Sequence, residues 1–143
     1  MRVRNASAIW RGVTRRASAI ACNQVLYHLQ ERAIEHAVIP WCEKHGTAVV
    51  AYSPFGHNDF PSSRSKAGEL LQTIADAHKA TARQVALGFL TRSPSVFAIP
   101  KASSAEHVAE NAIAGELTLD AAEIAALDKV FPRGPKPRGL PML

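Results

Sequence analysis

Three short apolar runs in this chain end in residues fit for chemistry: "NQVLYH" at Asn23–His28, "VVAYSPFG" at Val49–Gly56 and "FAIPKASSAEHVAEN" at Phe97–Asn111. The third places Lys101 and Ser103 just before a capped helix, where free backbone N–H groups and the helix dipole favour an anion. In the first two, His28, Ser53 and His57 stand on or after strand ends, with Asp59 near enough in sequence to orient a histidine. Ser53, His57 and Asp59 are therefore the candidate catalytic set for a hydrolase, although no nucleophile elbow of the G-x-S-x-G kind accompanies them. The six histidines (28, 36, 45, 57, 78 and 107) include no His-x3-His pair or other tight ligand spacing, so no metal site is expected.

The elements that would position these residues follow from periodicity. Residues 20–27 and 47–53 are short, continuous apolar stretches that read as buried strands, and 96–100 is a third. Between the first two, Glu31 to His45 reads as a helix with Ile34, Val38, Trp41 and Cys42 inward, kinked at Pro40 and stopped by Gly46. Residues 56–66 are a polar loop, followed by a helix bearing Leu70, Leu71, Ile74, Ala75 and His78 on one face. "TARQ" at Thr81–Gln84 is a capping box opening a helix with Val85, Ala86, Phe89 and Leu90 inward. "SSAE" at Ser103–Glu106 is a second such signal. Thr118 or Asp120 caps a last helix, with Ile124, Leu127, Val130 and Phe131 on its apolar side. Continuous apolar strands alternating with helices indicate parallel βα units.

Composition bounds the rest. The 143 residues are one domain's worth, 47% apolar and 20% charged. The net charge of +5 is carried by the ends: Arg2, Arg4, Arg11, Arg15 and Arg16 lie in residues 1–16 with no acid. Arg133, Lys136 and Arg138 lie in the Pro-rich tail 132–143, leaving a net −3 for the body. No basic face interleaved with aromatics is evident, so specific nucleic-acid binding is not expected. The first 16 residues share an Arg-rich, acid-free composition with organelle transit peptides. Without a clean helical stripe they read as a solvated basic arm or a leftover boundary of a longer gene. No apolar run reaches membrane-spanning length. Cys22 and Cys42 are too few and too far apart for a disulfide scaffold, which suits a reduced, cytoplasmic setting with both thiols buried.

Taken together, from about Ile20 to Phe131 the three motifs resemble the C-terminal half of a bacterial aldo/keto reductase, an NADPH-dependent oxidoreductase built on a (β/α)8 TIM barrel. The resemblance implies an α/β fold that is a partial barrel, or half-barrel, of about three parallel strands over residues 17–131, corresponding to the sixth to eighth strands. It also implies part of an NADP(H) site. Gln24 resembles the glutamine that meets the nicotinamide carboxamide, for which an amide offers both donor and acceptor. Tyr52 resembles the aromatic that stacks on the nicotinamide ring. Ser53 and Phe55 resemble residues lining the pyrophosphate channel, Lys101 and Ser103 the pair on the adenosine 2′-phosphate, and Glu110 and Asn111 the residues at the adenine. His107 stands where the family usually has an arginine bracing that phosphate. An imidazole offers less charge near pH 7 than a guanidinium, which weakens the expected preference for NADPH over NADH. Ala102 stands where serine is common.

The family's catalytic tetrad of Asp, Tyr, Lys and His comes from the first half of the barrel and has no counterpart in these motifs. "RVRNA" at Arg2–Ala6, with Asn5, resembles a remnant of a fifth-strand pair that also meets nicotinamide. The resemblance therefore implies a truncated, oxidoreductase-like homologue that binds NADP(H) weakly. The alternatives are a hydrolase using Ser53 and His57, or a non-enzymatic subunit completed by another chain. A three-stranded parallel piece leaves open edges and one uncovered apolar face, so self-association into a homo-oligomer is expected.

Overall fold

The computed structural model describes residues 20–136, so the expected basic arm, Asn5 and the tail from 137 onward lie outside the described residues. Three strands, β1 (Cys22–Leu26), β2 (Ala48–Tyr52) and β3 (Val96–Ala98), form one sheet in the order β1-β2-β3. Both pairings are parallel, with Gln24 opposite Val50, Leu26 opposite Tyr52 and Val50 opposite Phe97. Among the described residues five α-helices accompany the sheet: α1 (Val38–His45), α2 (Lys66–Ala77), α3 (Ala82–Leu90), α4 (Ala105–Ile113) and α5 (Ala121–Val130). The fold is the expected open piece of a parallel barrel.

Side chains alternate across each strand, and here the two faces have different fates. Val25, Tyr27, Val49, Ala51 and Val96 are buried against Ile39 and Cys42 of α1, Leu71, Ile74 and Ala75 of α2, Val85, Ala86, Phe89 and Leu90 of α3, and Leu127 and Phe131. The opposite face, carrying Gln24, Val50, Tyr52, Phe97 and Ile99, is open, with Phe97 43% and Ile99 48% exposed. The apolar character of β2 and β3 suits burial on both faces, whereas the described residues cover one face and, on the other, bury Leu26 of β1.

Several local expectations are corrected. The segment 31–45 is not one helix: a 3-10 turn over Ala33–His36 ends at Ala37, whose φ of −146° and ψ of −39° leave the helical region before α1 begins. Pro40 is the third residue of α1, in the first turn, where its missing N–H would have had no helical acceptor. Trp41 does not pack inward. It is exposed and stacks on His45, with ring centroids 4.1 Å apart. Cys42 is buried, but Cys22 is exposed, because it opens β1 on the uncovered face. Val130 is 38% exposed, while Leu127 and Phe131 carry the apolar side of α5.

The capping signals were legible with one shift. Thr81 Oγ1 accepts from Gln84 N at 3.2 Å and Gln84 Oε1 accepts from Thr81 N at 2.8 Å, a complete capping box on α3. Asp120, not Thr118, caps α5, with Glu123 reaching back. On α4 the cap is Ser104, whose side chain accepts from His107 N at 3.2 Å; Ser103 falls outside the helix.

Candidate functional site

The C-terminal ends of parallel barrel strands collect chemistry because the loops there converge. In this chain the loop after β2 and the segment after β3 converge on the first turns of α3 and α4. Phe55, Thr81, Arg83, Gln84, Lys101, His107, Glu110 and Asn111 line one narrow cleft of about 20 Å³. A cleft of that volume seats about one water-sized group, so a larger ligand must lie across its mouth. Five of the sequence-derived residues (Phe55, Lys101, His107, Glu110 and Asn111) are thus brought together. Ser103 is exposed and not part of the lining.

Each wall of the cleft has a local cause. Ser53 adopts φ 49° and its carbonyl accepts from Gly56 N at 2.8 Å, turning the chain sharply after β2. A non-glycine residue held in this region stores backbone strain of about 1–2 kcal/mol, as often happens near functional sites. The turn presents Phe55, whose ring meets Phe60 edge-on at 5.8 Å. The Arg83 guanidinium lies over both rings, 5.2 Å from Phe55 and 5.8 Å from Phe60. Gln84, besides completing the cap of α3, donates from Nε2 to the Glu110 carbonyl at 2.9 Å and so ties α4 to α3.

Gln24 and Tyr52 stand apart from the cleft, on the open face of the sheet. The register places them on adjacent strands and two residues out of step, roughly 8 Å apart by strand spacing and rise. A flat ring could meet both there: an amide for hydrogen bonds and an aromatic for stacking. His57 and Asp59 are exposed in the loop after β2, and among the described residues no hydrogen bond joins either of them to Ser53. Asp59 instead folds back over Gly56 and, with Glu31, favours protonation of His28. Burial outweighs them and lowers the His28 pKa below its ordinary value. No group of His, Cys, Asp and Glu among the described residues could hold a metal ion.

A wider opening of about 670 Å³ lies at the other end of the sheet, around Cys22, Ala48, Ser95 and Phe97. It adjoins the strand N-termini, at the end of the sheet opposite the loops that carry the candidate side chains. Three lining residues, Thr81, Gln84 and Arg83, come from the capping stretch "TARQ" and are named by none of the cofactor motifs; Arg83 is the charged one. Its signal was present: a cation in the first turn of a helix, with no acid beside it, opposes the helix dipole.

The sequence model of the Aldo/keto reductase family matches residues 3–131, most of the chain. The chain belongs to the aldo/keto reductase family. It is 41% identical over 112 residues to methylglyoxal reductase YeaE of Escherichia coli, covering 78% of this chain and 39% of that protein. It is 34% identical over 117 residues to pyridoxine 4-dehydrogenase of the same organism, covering 81% and 39%. The structure superposes with a TM-score of 0.77 on an aldo-keto reductase from Klebsiella pneumoniae in complex with NADPH, at 36% identity, over 96% of this chain and 48% of that one. The chain therefore spans about two fifths of the length of these curated relatives. No helix of the described residues is long and apolar enough to cross a membrane.

Proposed function

We propose that this chain is a cofactor-binding part of an aldo/keto reductase and that it holds NADP(H). The observation carrying this reading is the convergence of Lys101, His107, Glu110, Asn111 and Phe55 on one cleft beside the strand ends. The residue types fit the group: Lys101 offers a point charge for the adenosine 2′-phosphate, with Ser103 beside it, and Glu110 and Asn111 offer polar partners for the adenine. Ser53 and Phe55 follow the pyrophosphate, while Gln24 and Tyr52 hold the nicotinamide on the sheet face. The bound cofactor supplies a hydride; this chain's residues orient it.

Turnover needs an acid that these residues do not offer. The sequence has two tyrosines. Tyr27 is fully buried, hydrogen-bonded to Glu35 at 2.6 Å and to Arg92 at 3.0 Å, and burial drives its pKa up. Tyr52 occupies the stacking position and makes no hydrogen bond with a lysine among the described residues. Reduction therefore requires catalytic groups from other strands. Titration with NADPH, following cofactor fluorescence and Trp10 and Trp41 emission, tests the binding. Saturation that weakens at least about tenfold in Lys101→Ala supports it. No saturation up to millimolar cofactor overturns it.

The open sheet face favours self-association. Val50, Phe97 and Ile99 form an apolar surface beside the Gln24 and Tyr52 positions, flanked by two strand edges that are unpaired among the described residues, and a second copy would cover that surface. Light scattering on the purified chain should show a dimer or larger species, and a monodisperse monomer would contradict this. The two unpaired thiols suit a reducing, cytoplasmic setting.

A further inference from the structure

We infer that Arg83 supplies the second positive charge of the nucleotide cleft and gives it its preference for a 2′-phosphate. The inference rests on the NADP(H) reading above and adds to it a residue from a different helix. Three observations carry it. Arg83 lines the same narrow cleft as Lys101 and His107, although α3 and the segment after β3 are separate elements. Its guanidinium, though exposed, lies over the edge-on pair of Phe55 and Phe60, which biases the side chain toward the cleft before a ligand arrives. Among the described residues Arg83 makes no ion pair, and its own helix end has no acid in the first turn.

The charge balance shows why one guanidinium matters. The cleft's ionised groups are Lys101 and Arg83 against Glu110. With both cations the cleft is net positive even when His107 is neutral. Without Arg83, Lys101 is the one full cation of the cleft and is opposed by Glu110, so a phosphate dianion meets a weaker attraction. Arg83 also sits where a cation is electrostatically disfavoured, in the first turn of a helix. A bound phosphate removes that conflict and accepts two parallel N–H bonds from the planar fork. Arg83 thus fills, from α3, the need for charge that His107 meets only when protonated.

The test uses adenosine 2′,5′-bisphosphate and 5′-AMP as probes, titrated into the whole chain and into Arg83→Gln, Arg83→Lys and Lys101→Ala by calorimetry. The bisphosphate should bind the unaltered chain at least about tenfold more tightly than 5′-AMP, the scale of one charge-assisted contact. Arg83→Gln should remove most of that ratio while leaving 5′-AMP affinity within about twofold, and Arg83→Lys should restore part of it. If Arg83→Gln weakens both probes equally, the guanidinium serves only to brace the Phe55 turn and the inference fails. If the ratio survives in Arg83→Gln but collapses in Lys101→Ala, Arg83 is dispensable, yet the cofactor reading stands. If the unaltered chain binds neither probe nor NADPH, both fall together.

Discussion

Gly56 and Gly68 both lack room for a methyl group, and they differ in what that methyl would strike. At Gly56 the added Cβ would lie 1.8 Å from Asp59 Oδ1, the end of an exposed side chain that can swing away. The remaining penalty is the φ of +75°, about 1–2 kcal/mol for a residue with a side chain. At Gly68 the Cβ would lie 2.0 Å from the Ser62 carbonyl oxygen, and backbone must move. Gly68 follows the Ser65 cap of α2 and donates to its hydroxyl at 3.1 Å, so shifting that segment also strains the cap. Gly68→Ala should therefore be the more damaging change, by 2 kcal/mol or more, about the upper range for overpacking. Urea denaturation of the two variants measures the order directly, and equal losses would mean that the 62–63 loop yields easily. At this scale the motifs named residues that the fold gathers into one cleft, as with Lys101 and Asn111. The sequence was silent where a residue matters through spatial neighbours: Arg83 meets Phe55 and Phe60 only because the turn after β2 folds across the start of α3.

Among the elements, α3 organises the site. Thr81 and Gln84 close its N-terminus, and the same Gln84 side chain reaches 26 residues along the chain to the Glu110 carbonyl. Thr81→Ala removes one cap acceptor and should cost about 1 kcal/mol. Gln84→Ala removes the reciprocal cap bond and also the side-chain bond to the Glu110 carbonyl, which keeps only the Ala114 N–H, so it should cost about 2 kcal/mol. The excess measures the tie between α3 and α4. Nucleotide binding should respond accordingly, with NADPH affinity falling in Gln84→Ala more than in Thr81→Ala, because Glu110 and Asn111 lie on the helix that is released. Identical binding losses would show that α4 is held by other contacts. The capping box was readable because all its members lie within four residues. The cap of α4 was not: two serines stand side by side at 103 and 104, either could accept, and the path of the chain after β3 decides between them. The break at Ala37 was equally hidden, since Pro40 drew attention to a kink while the first turn of α1 accommodates it.

For the whole molecule, an ion cluster centred on Glu35 fastens the outer layer. The Glu35 carboxylate accepts from Tyr27, from Arg32 at 2.8 and 2.7 Å, and pairs with Arg92 at 3.0 Å. Arg32 also donates to Asp128 at 2.7 Å and to the Phe131 carbonyl, binding the end of α5 to the segment after β1. Both Arg32 and Arg92 lie over the Phe89 ring. No local pattern could have revealed this, because its members are drawn from positions 27 to 131. Burial alone would raise the Glu35 pKa. The hydrogen bonds from Arg32, Tyr27 and Arg92 overcome it and hold the carboxyl at about 2, against an ordinary 4.5. A carboxylate so depressed adds stability that is complete above pH 4.5 and is lost as pH falls toward about 2, a contribution of about 3 kcal/mol. His28 acts in an earlier window: buried and biased toward its neutral form, it begins to oppose folding as pH drops below its ordinary value near 6.5. Two steps of acid destabilisation should result, and variants separate them. Glu35→Gln should lose about 3 kcal/mol at neutral pH, because buried Arg32 keeps only the half-exposed Asp128 as a carboxylate partner and Arg92 loses its own, and its stability should then vary little between pH 4.5 and 2. His28→Asn should remove the earlier step and leave the later one. Stability measured by urea titration across this range gives the slopes, and a Glu35→Gln chain that still lost stability steeply below pH 4.5 would place the acid sensitivity elsewhere.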